Sequence, residues 1–112
     1  METKRQKKVS KLVQKELSAI FQKETHQFLG NILVTITTCR ISLDLSIAKV
    51  FLSIFPVNNP AEALDILNKN KKHFRTILGN SCRHQLRIVP ELIFYLDDSA
   101  EYAEEIERLL QQ

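Results

Sequence analysis

Leu86-Arg87-Ile88-Val89-Pro90-Glu91-Leu92-Ile93-Phe94-Tyr95-Leu96-Asp97-Asp98 is the stretch whose reading decides the fold. Leu86, Ile88, Pro90, Leu92, Phe94 and Leu96 fall on one side at period two, with Arg87, Glu91 and Asp97 on the other, the alternation of a strand with one buried face. Pro90 has no N–H for a ladder, which predicts a strand at a sheet edge with the proline nitrogen turned from its neighbour. The residues upstream must then supply the inner strands and a cover.

Working outward, the segment before this strand reads as helix. Asn59 suits an N-cap, Pro60 the first turn and Glu62 the positive end of the helix dipole. Leu64, Leu67, Phe74, Ile77 and Leu78 keep helical spacing, while Asn68-Lys69-Asn70-Lys71-Lys72 interrupts the apolar face, which predicts two short helices meeting at a bend. Gly79 fits either the end or the interior of the second. Further upstream, Ile32, Val34 and Ile36 alternate with Leu33, Thr35 and Thr37. After a turn near Ser42 to Asp44, Ala48, Val50, Leu52 and Ile54 alternate with Lys49, Phe51 and Ser53 in a strand from Leu45 to Phe55, completing a hairpin. Val9, Leu12, Val13, Leu17, Ile20 and Phe21 recur at three and four, predicting a first helix from about Glu2 to Gln27, with Gly30 just past its end. Beyond the edge strand, Asp98 or Ser99 can cap a helix whose Tyr102, Ile106, Leu109 and Leu110 form an apolar side, with Glu101, Glu104, Glu105 and Glu107 elsewhere on its surface.

The order helix, strand, strand, helix, helix, strand, helix predicts a small α+β layer: a three-stranded sheet covered by helices on one face, with a right-handed crossover. The first strand is expected in the centre, antiparallel to the second and parallel to the third. At 112 residues the chain is one domain, 1–112, able to bury roughly two-thirds of its surface without a metal or disulfide. Cys39 and Cys82 have no paired spacing and read as free thiols in a reducing, cytoplasmic setting. No apolar run reaches bilayer length, and the charged N-terminal residues lack a signal peptide's apolar core, so no membrane association is expected.

Charge divides along the chain. Residues 1–90 carry fifteen Lys and Arg against six Asp and Glu, a net of +9, whereas 91–112 carry one against seven, a net of −6. A polyanionic partner for the first part accounts for this simply. Lys4, Lys8, Lys11 and Lys15 fall almost opposite the apolar stripe of the first helix, at a position where cations oppose the helix dipole and so do not serve helix stability. A second group is Lys69, Lys71, Lys72, His73 and Arg75 at the helix junction, followed by Arg83, His84 and Arg87. Basic residues over a helix face and a junction, beside a mixed sheet face bearing Phe51 and Tyr95, are what binding to a phosphate backbone requires.

Catalytic chemistry finds little footing. His26, His73 and His84 are far apart in sequence and none has metal-ligand spacing; no cofactor is expected, and the glycines, Gly30 and Gly79, make no phosphate loop. Cys82-Arg83-His84 reads as a half-buried thiol beside a surface imidazole, and Asp97-Asp98 as turn and capping residues. A small ribonuclease using Asp97, Asp98 and His84 and a protein-interaction module docking its acidic last helix on a basic partner are the alternatives to an RNA-binding domain.

Leu-Arg-Ile-Val-Pro-Glu-Leu at 86–92, followed by Phe94 and Asp97-Asp98-Ser99, resembles the last-strand signature of the ribosome-binding factor A family. The likeness runs back through Arg75-Thr76-Ile77-Leu78-Gly79, Asp44-Leu45-Ser46-Ile47-Ala48-Lys49-Val50 and the basic first helix. The resemblance implies a K-homology-like fold of the second type. It also implies a cytoplasmic, non-enzymatic factor that binds the immature small (30S) ribosomal subunit and its 16S rRNA and promotes late rRNA maturation, including that of the 5′ end. Growth at low temperature, contact near the decoding region and departure before translation are implied likewise. Where the family bends its helix pair at an Ala-x-Gly, this chain has Asn70-Lys71-Lys72. Ordinary K-homology domains clamp single strands with a Gly-x-x-Gly loop, absent from this sequence, so folded RNA and its phosphates are the expected target. The RNA contacts expected are Lys4, Lys8, Lys11, Lys15, Lys69, Lys71, Lys72, His73, Arg75, Arg83 and Arg87, in a monomer that touches other assembly factors transiently.

Overall fold

The computed structural model describes residues 3–30, 32–55 and 59–97. The elements follow in the order α1 (Lys4–Leu29), β1 (Leu33–Ile41), β2 (Ile47–Phe55), α2 (Pro60–Lys69), α3 (Lys71–Cys82) and β3 (Glu91–Leu96). This is the expected α+β arrangement of the K-homology-like kind; the predicted C-terminal helix lies outside the described residues.

α1 starts at a capping box. The Thr3 hydroxyl accepts from the Gln6 N–H, and the Gln6 carboxamide accepts from the Thr3 N–H at 2.7 Å, so two orphan donors are satisfied reciprocally. The box makes Thr3 the N-cap, so the helix runs from Lys4 to Leu29 where the periodicity predicts about Glu2 to Gln27. The helix ends at Gly30, whose φ of 71° suits a residue without a Cβ. The inner stripe Val13, Leu17, Ile20 and Phe21 is buried.

The sheet order is β1-β2-β3, with β2 antiparallel to β1 and parallel to β3. β2 is therefore central, correcting the expectation that the first strand would be. The reason lies in α1: Gln6 Nε2 donates to the Ile41 carbonyl at 2.9 Å and Ser10 Oγ to the Cys39 carbonyl at 2.6 Å, so helix side chains take β1 carbonyls. The third strand stays at an edge, as Pro90 implied, but beside β2. In β1 the alternation also shifts at a bulge between Ile36 and Thr38, after which Cys39 and Ile41 return to the core.

Two further corrections concern strand ends. β2 starts at Ile47, not Leu45, because residues 42–46 form a clipped turn: Asp44 Oδ1 accepts from the hydroxyls of Ser42 (2.8 Å) and Ser46 (2.7 Å) and from the Ser46 N–H (3.1 Å). These bonds, that from the Ser46 hydroxyl foremost, hold the Asp44 carboxyl below its ordinary 3.8. Leu45 has a φ of 65° there. β3 starts at Glu91, not Leu86, because its partner begins at Ile47. Residues 86–90 form a loop in which Ile88, expected in the core, is 54% exposed. That loop is held by Arg75, whose Nη2 donates to the Val89 carbonyl at 2.8 Å and whose Nε lies 3.3 Å from the Val89 and Pro90 carbonyls.

The predicted bend falls at Asn70. Its N–H donates to the Leu67 carbonyl and its side chain to the Ile66 carbonyl at 2.8 Å, closing α2, while its own carbonyl opens α3. With φ −107° and ψ 15° at Asn70 the bend needs no positive φ, so it needs no glycine. Gly79 lies inside α3, where a Cβ would meet Val89 Cγ2 at 3.3 Å. The core closes on Phe21, Phe74 and Phe94, with Phe21 edge-on to Phe74 at 5.2 Å between centroids.

Candidate nucleic-acid interface

α1 and α3 run antiparallel, a direction fixed by Ser81 donating to Glu16 at 2.9 Å at one end and His73 lying 3.4 Å from Glu24 at the other. The end of α3 and the loop after it therefore return to the start of α1. This decides how the basic residues group.

At the start of α1, Lys4, Lys8, Lys11 and Lys15 are all exposed, and the first turn has no acidic residue. A 430 Å³ cleft runs between this ridge and β1, lined by Lys7, Lys8, Lys11 and Arg40 with Ser10 and Gln14. Arg40 and Lys7 were missed by the sequence reading. Arg40 is far from α1 in sequence, and its signal lay only in the exposed phase of β1. On the other side of Lys8, a 790 Å³ groove has Leu43, Leu45, Leu86 and Ile88 in its lining and Arg5, Lys8 and Arg87 among its charged residues. Arg87 thus joins the α1 ridge, away from the helix junction with which the sequence grouped it.

The junction makes a separate patch. Lys69, Lys71 and Lys72 are exposed, with Lys69 paired to Asp65 at 3.0 Å across one helical turn. Both partners are well exposed, so the pair contributes little to stability. His73 packs edge-on to Phe28 and Phe74 beside Glu24. Since His73 faces the last turns of α1, this patch is roughly 27 Å from Lys8, taking eighteen residues at 1.5 Å each. Arg75 is exposed, yet its guanidinium is committed to the loop carbonyls described above. Arg83 and His84 are exposed in the turn after α3, near the α1 end.

The residues of the ribonuclease reading do not converge. His84 precedes β3 and Asp97 follows it, so about 20 Å of strand separates them; Asp98 lies outside the described residues. Cys82 is fully buried, and burial followed by the nearby Glu16 charge pushes its thiol up, so it stays protonated at neutral pH and is a poor nucleophile. Among the described residues no cluster of three or more His, Cys, Asp or Glu could hold a metal ion, and no helix is long and apolar enough to cross a membrane.

The fold and this surface define a class: a K-homology-like α+β domain that presents cations along its first helix. Within it, the profile of the family described as ribosome-binding factor A matches residues 5–110. The chain is 43% identical to the ribosome-binding factor A of Cytophaga hutchinsonii, covering 98% of this chain and 83% of that one. It is 44% identical to that of Chlorobaculum tepidum, covering 92% and 85%. Among solved structures, the crystal structure of the Thermus thermophilus ribosome-binding factor A has the same fold, with a TM-score of 0.67 at 22% identity over 81% of this chain and 94% of that one. A Thermus thermophilus homology model fitted into a cryo-EM map of a complex between the 30S subunit and ribosome-binding factor A matches with a TM-score of 0.61 at 23% identity, covering 78% and 89%. The chain belongs to the ribosome-binding factor A family.

Proposed function

We propose that this protein is a cytoplasmic, non-catalytic ribosome assembly factor that binds the small (30S) subunit through its 16S rRNA and promotes late maturation of that RNA. Membership of the ribosome-binding factor A family over nearly the whole chain carries the reading. The α1 ridge, with Lys4, Lys8, Lys11, Lys15, Lys7 and Arg40, holds RNA phosphates, and Arg5, Arg83 and Arg87 extend it around the start of the helix. Lys69, Lys71, Lys72 and His73 form a second contact at the helix junction. Arg75 acts chiefly by shaping the loop before β3. The protein works as a monomer, by holding RNA in a productive arrangement while neighbouring segments fold, and meets other assembly factors only on the particle. Low temperature, at which misfolded RNA escapes slowly, is where its absence is felt most.

Cosedimentation with precursor subunits, mature subunits and free RNA across a salt series tests this. With about six phosphate contacts, log affinity falls against log salt with a slope of roughly −4 to −5, at about 0.7–0.9 per contact. A flat salt response, or no binding to small-subunit particles at low salt, would refute the proposal.

A further inference from the structure

Two loops meet beside the start of α1, and each is held by a polar clip that leaves apolar side chains facing water. The Asp44 carboxylate gathers Ser42 and Ser46 and holds the 42–46 turn with Leu45 at a φ of 65°, a backbone region uncommon for residues other than glycine. Leu43 is left 77% exposed. The Arg75 guanidinium holds the loop before β3 by the Val89 and Pro90 carbonyls and leaves Ile88 54% exposed. With the partly buried Leu45 and Leu86, these side chains line the 790 Å³ groove, a volume in the range of ~300–1,000 Å³ common to sites for small organic groups. Large apolar side chains fixed at the surface of a groove mark a place where something binds.

The charges around the groove decide what that is. Arg5, Lys8 and Arg87 are exposed beside the apolar lining, and among the described residues no carboxylate forms an ion pair with any of them. Asp44, the acid in the lining, is engaged by its own serines. Lys8 also lines the 430 Å³ cleft on the other side of the ridge, together with Lys7, Lys11 and Arg40. An acidic peptide fits the groove but leaves the cations of that cleft unanswered. A polynucleotide suits both, because each of its units joins an anion to a flat ring with a large apolar face.

From these observations we infer that the groove takes unpaired bases of RNA. The strand lays its phosphates on Lys8, Arg5 and Arg87 and turns its bases in onto Leu43, Leu86 and Ile88. Gln85, exposed in the same lining, brings a donor and an acceptor on one carboxamide to the edge of a base. The inference rests on the RNA-binding reading above and adds a selection to it. Cations alone meet phosphates in any RNA, paired or not. The groove favours nucleotides that project from folded RNA unpaired, because a paired base leaves its stack only at a cost in free energy.

The test is fluorescence anisotropy with three labelled probes across a salt series: a short oligoadenylate, an abasic strand with the same phosphates, and the oligoadenylate paired in a duplex. The unaltered chain is expected to bind the oligoadenylate about tenfold more tightly than the abasic strand. The chain carrying Leu43→Ser and Ile88→Ser, both at exposed positions, is expected to lose that preference with the salt slope unchanged and with abasic and duplex binding as before. Lys8→Ala should instead lower the slope for all three probes. Equal binding of oligoadenylate and abasic strand by the unaltered chain overturns the inference while leaving the RNA reading in place; no binding to any probe or to small-subunit particles overturns both. A double variant that weakens all three probes alike, or that loses particle binding while keeping its oligoadenylate preference, as docking of a protein segment would have it, also overturns the inference. If the double variant fails to fold, the preference of the unaltered chain decides alone.

Discussion

The Asn68 carboxamide lies 3.0 Å from both the N–H and the carbonyl of Phe94, donating to one and accepting from the other, as a neighbouring strand would. α2 thus closes the outer edge of β3 with a side chain, limiting its use as a template for another chain. Asn68→Ala leaves both Phe94 groups without that partner and is expected to cost about 1–3 kcal/mol in urea unfolding. Asn68→Asp, which keeps the acceptor but sets a carboxylate against the Phe94 carbonyl, should be no better. Arg75→Ala should cost about 1–2 kcal/mol and weaken protection of the Glu91 amide from hydrogen exchange; Arg75→Lys should recover little, because an ammonium cannot span two carbonyls as a guanidinium does. The raised Cys82 thiol sets a pH dependence. A folded value above the ordinary 9.0 favours the neutral form in the native state, so this contribution is full below pH 9 and is lost as pH rises beyond it. The urea midpoint should fall above pH 9, and Cys82→Ala should remove that part of the fall while alkylation of Cys82 at pH 7 waits on unfolding.

At the scale of elements, α1 has two jobs on opposite sides. Its inner stripe and the Gln6 and Ser10 side chains dock it on β1, and its outer side is left to cations. Lys8→Ala and Lys11→Ala should therefore leave thermal stability unchanged within about 0.5 kcal/mol and each reduce the salt slope of subunit binding by about 0.7–0.9. Gln6→Ala should do the reverse, lowering stability by about 1–3 kcal/mol through the lost cap and the unpaired Ile41 carbonyl while the slope holds. The hairpin, the N-cap at Asn59 and the bend near Asn70 were all legible in the sequence, because each rests on local chemistry. The first turn of α1 is local in the same way, since Thr3 and Gln6 stand at capping-box spacing. The early end of β3 was not legible: Leu86 to Pro90 alternate as a strand would, and only the absence of a partner before Ile47 and the claim of Arg75 on the Val89 and Pro90 carbonyls make them a loop.

For the whole molecule, the antiparallel path of α3 against α1 sorts the basic residues into a ridge at one end and a junction patch at the other. Two phosphate contacts about 27 Å apart should act independently. Combining Lys8→Glu and Lys11→Glu with Lys71→Glu and Lys72→Glu is expected to lower subunit affinity by the sum of the two separate free-energy losses, within about 0.5 kcal/mol, in the same sedimentation assay; a shortfall would mean that the patches are coupled, and no loss from one pair alone would mean that only the other patch meets RNA. By itself the sequence determined the kind and order of the six described elements, the buried phase of β2, the edge position of the third strand and the excess of positive charge before Glu91. Those follow from periodicity, proline and composition, which act over a few residues. Only the tertiary structure decided that β2 is central, that Arg40 and Arg87 join the α1 ridge, and that Arg75 holds a loop. Each of these depends on which distant groups satisfy one another's hydrogen bonds or come to share a surface, and spacing along a chain carries no record of that.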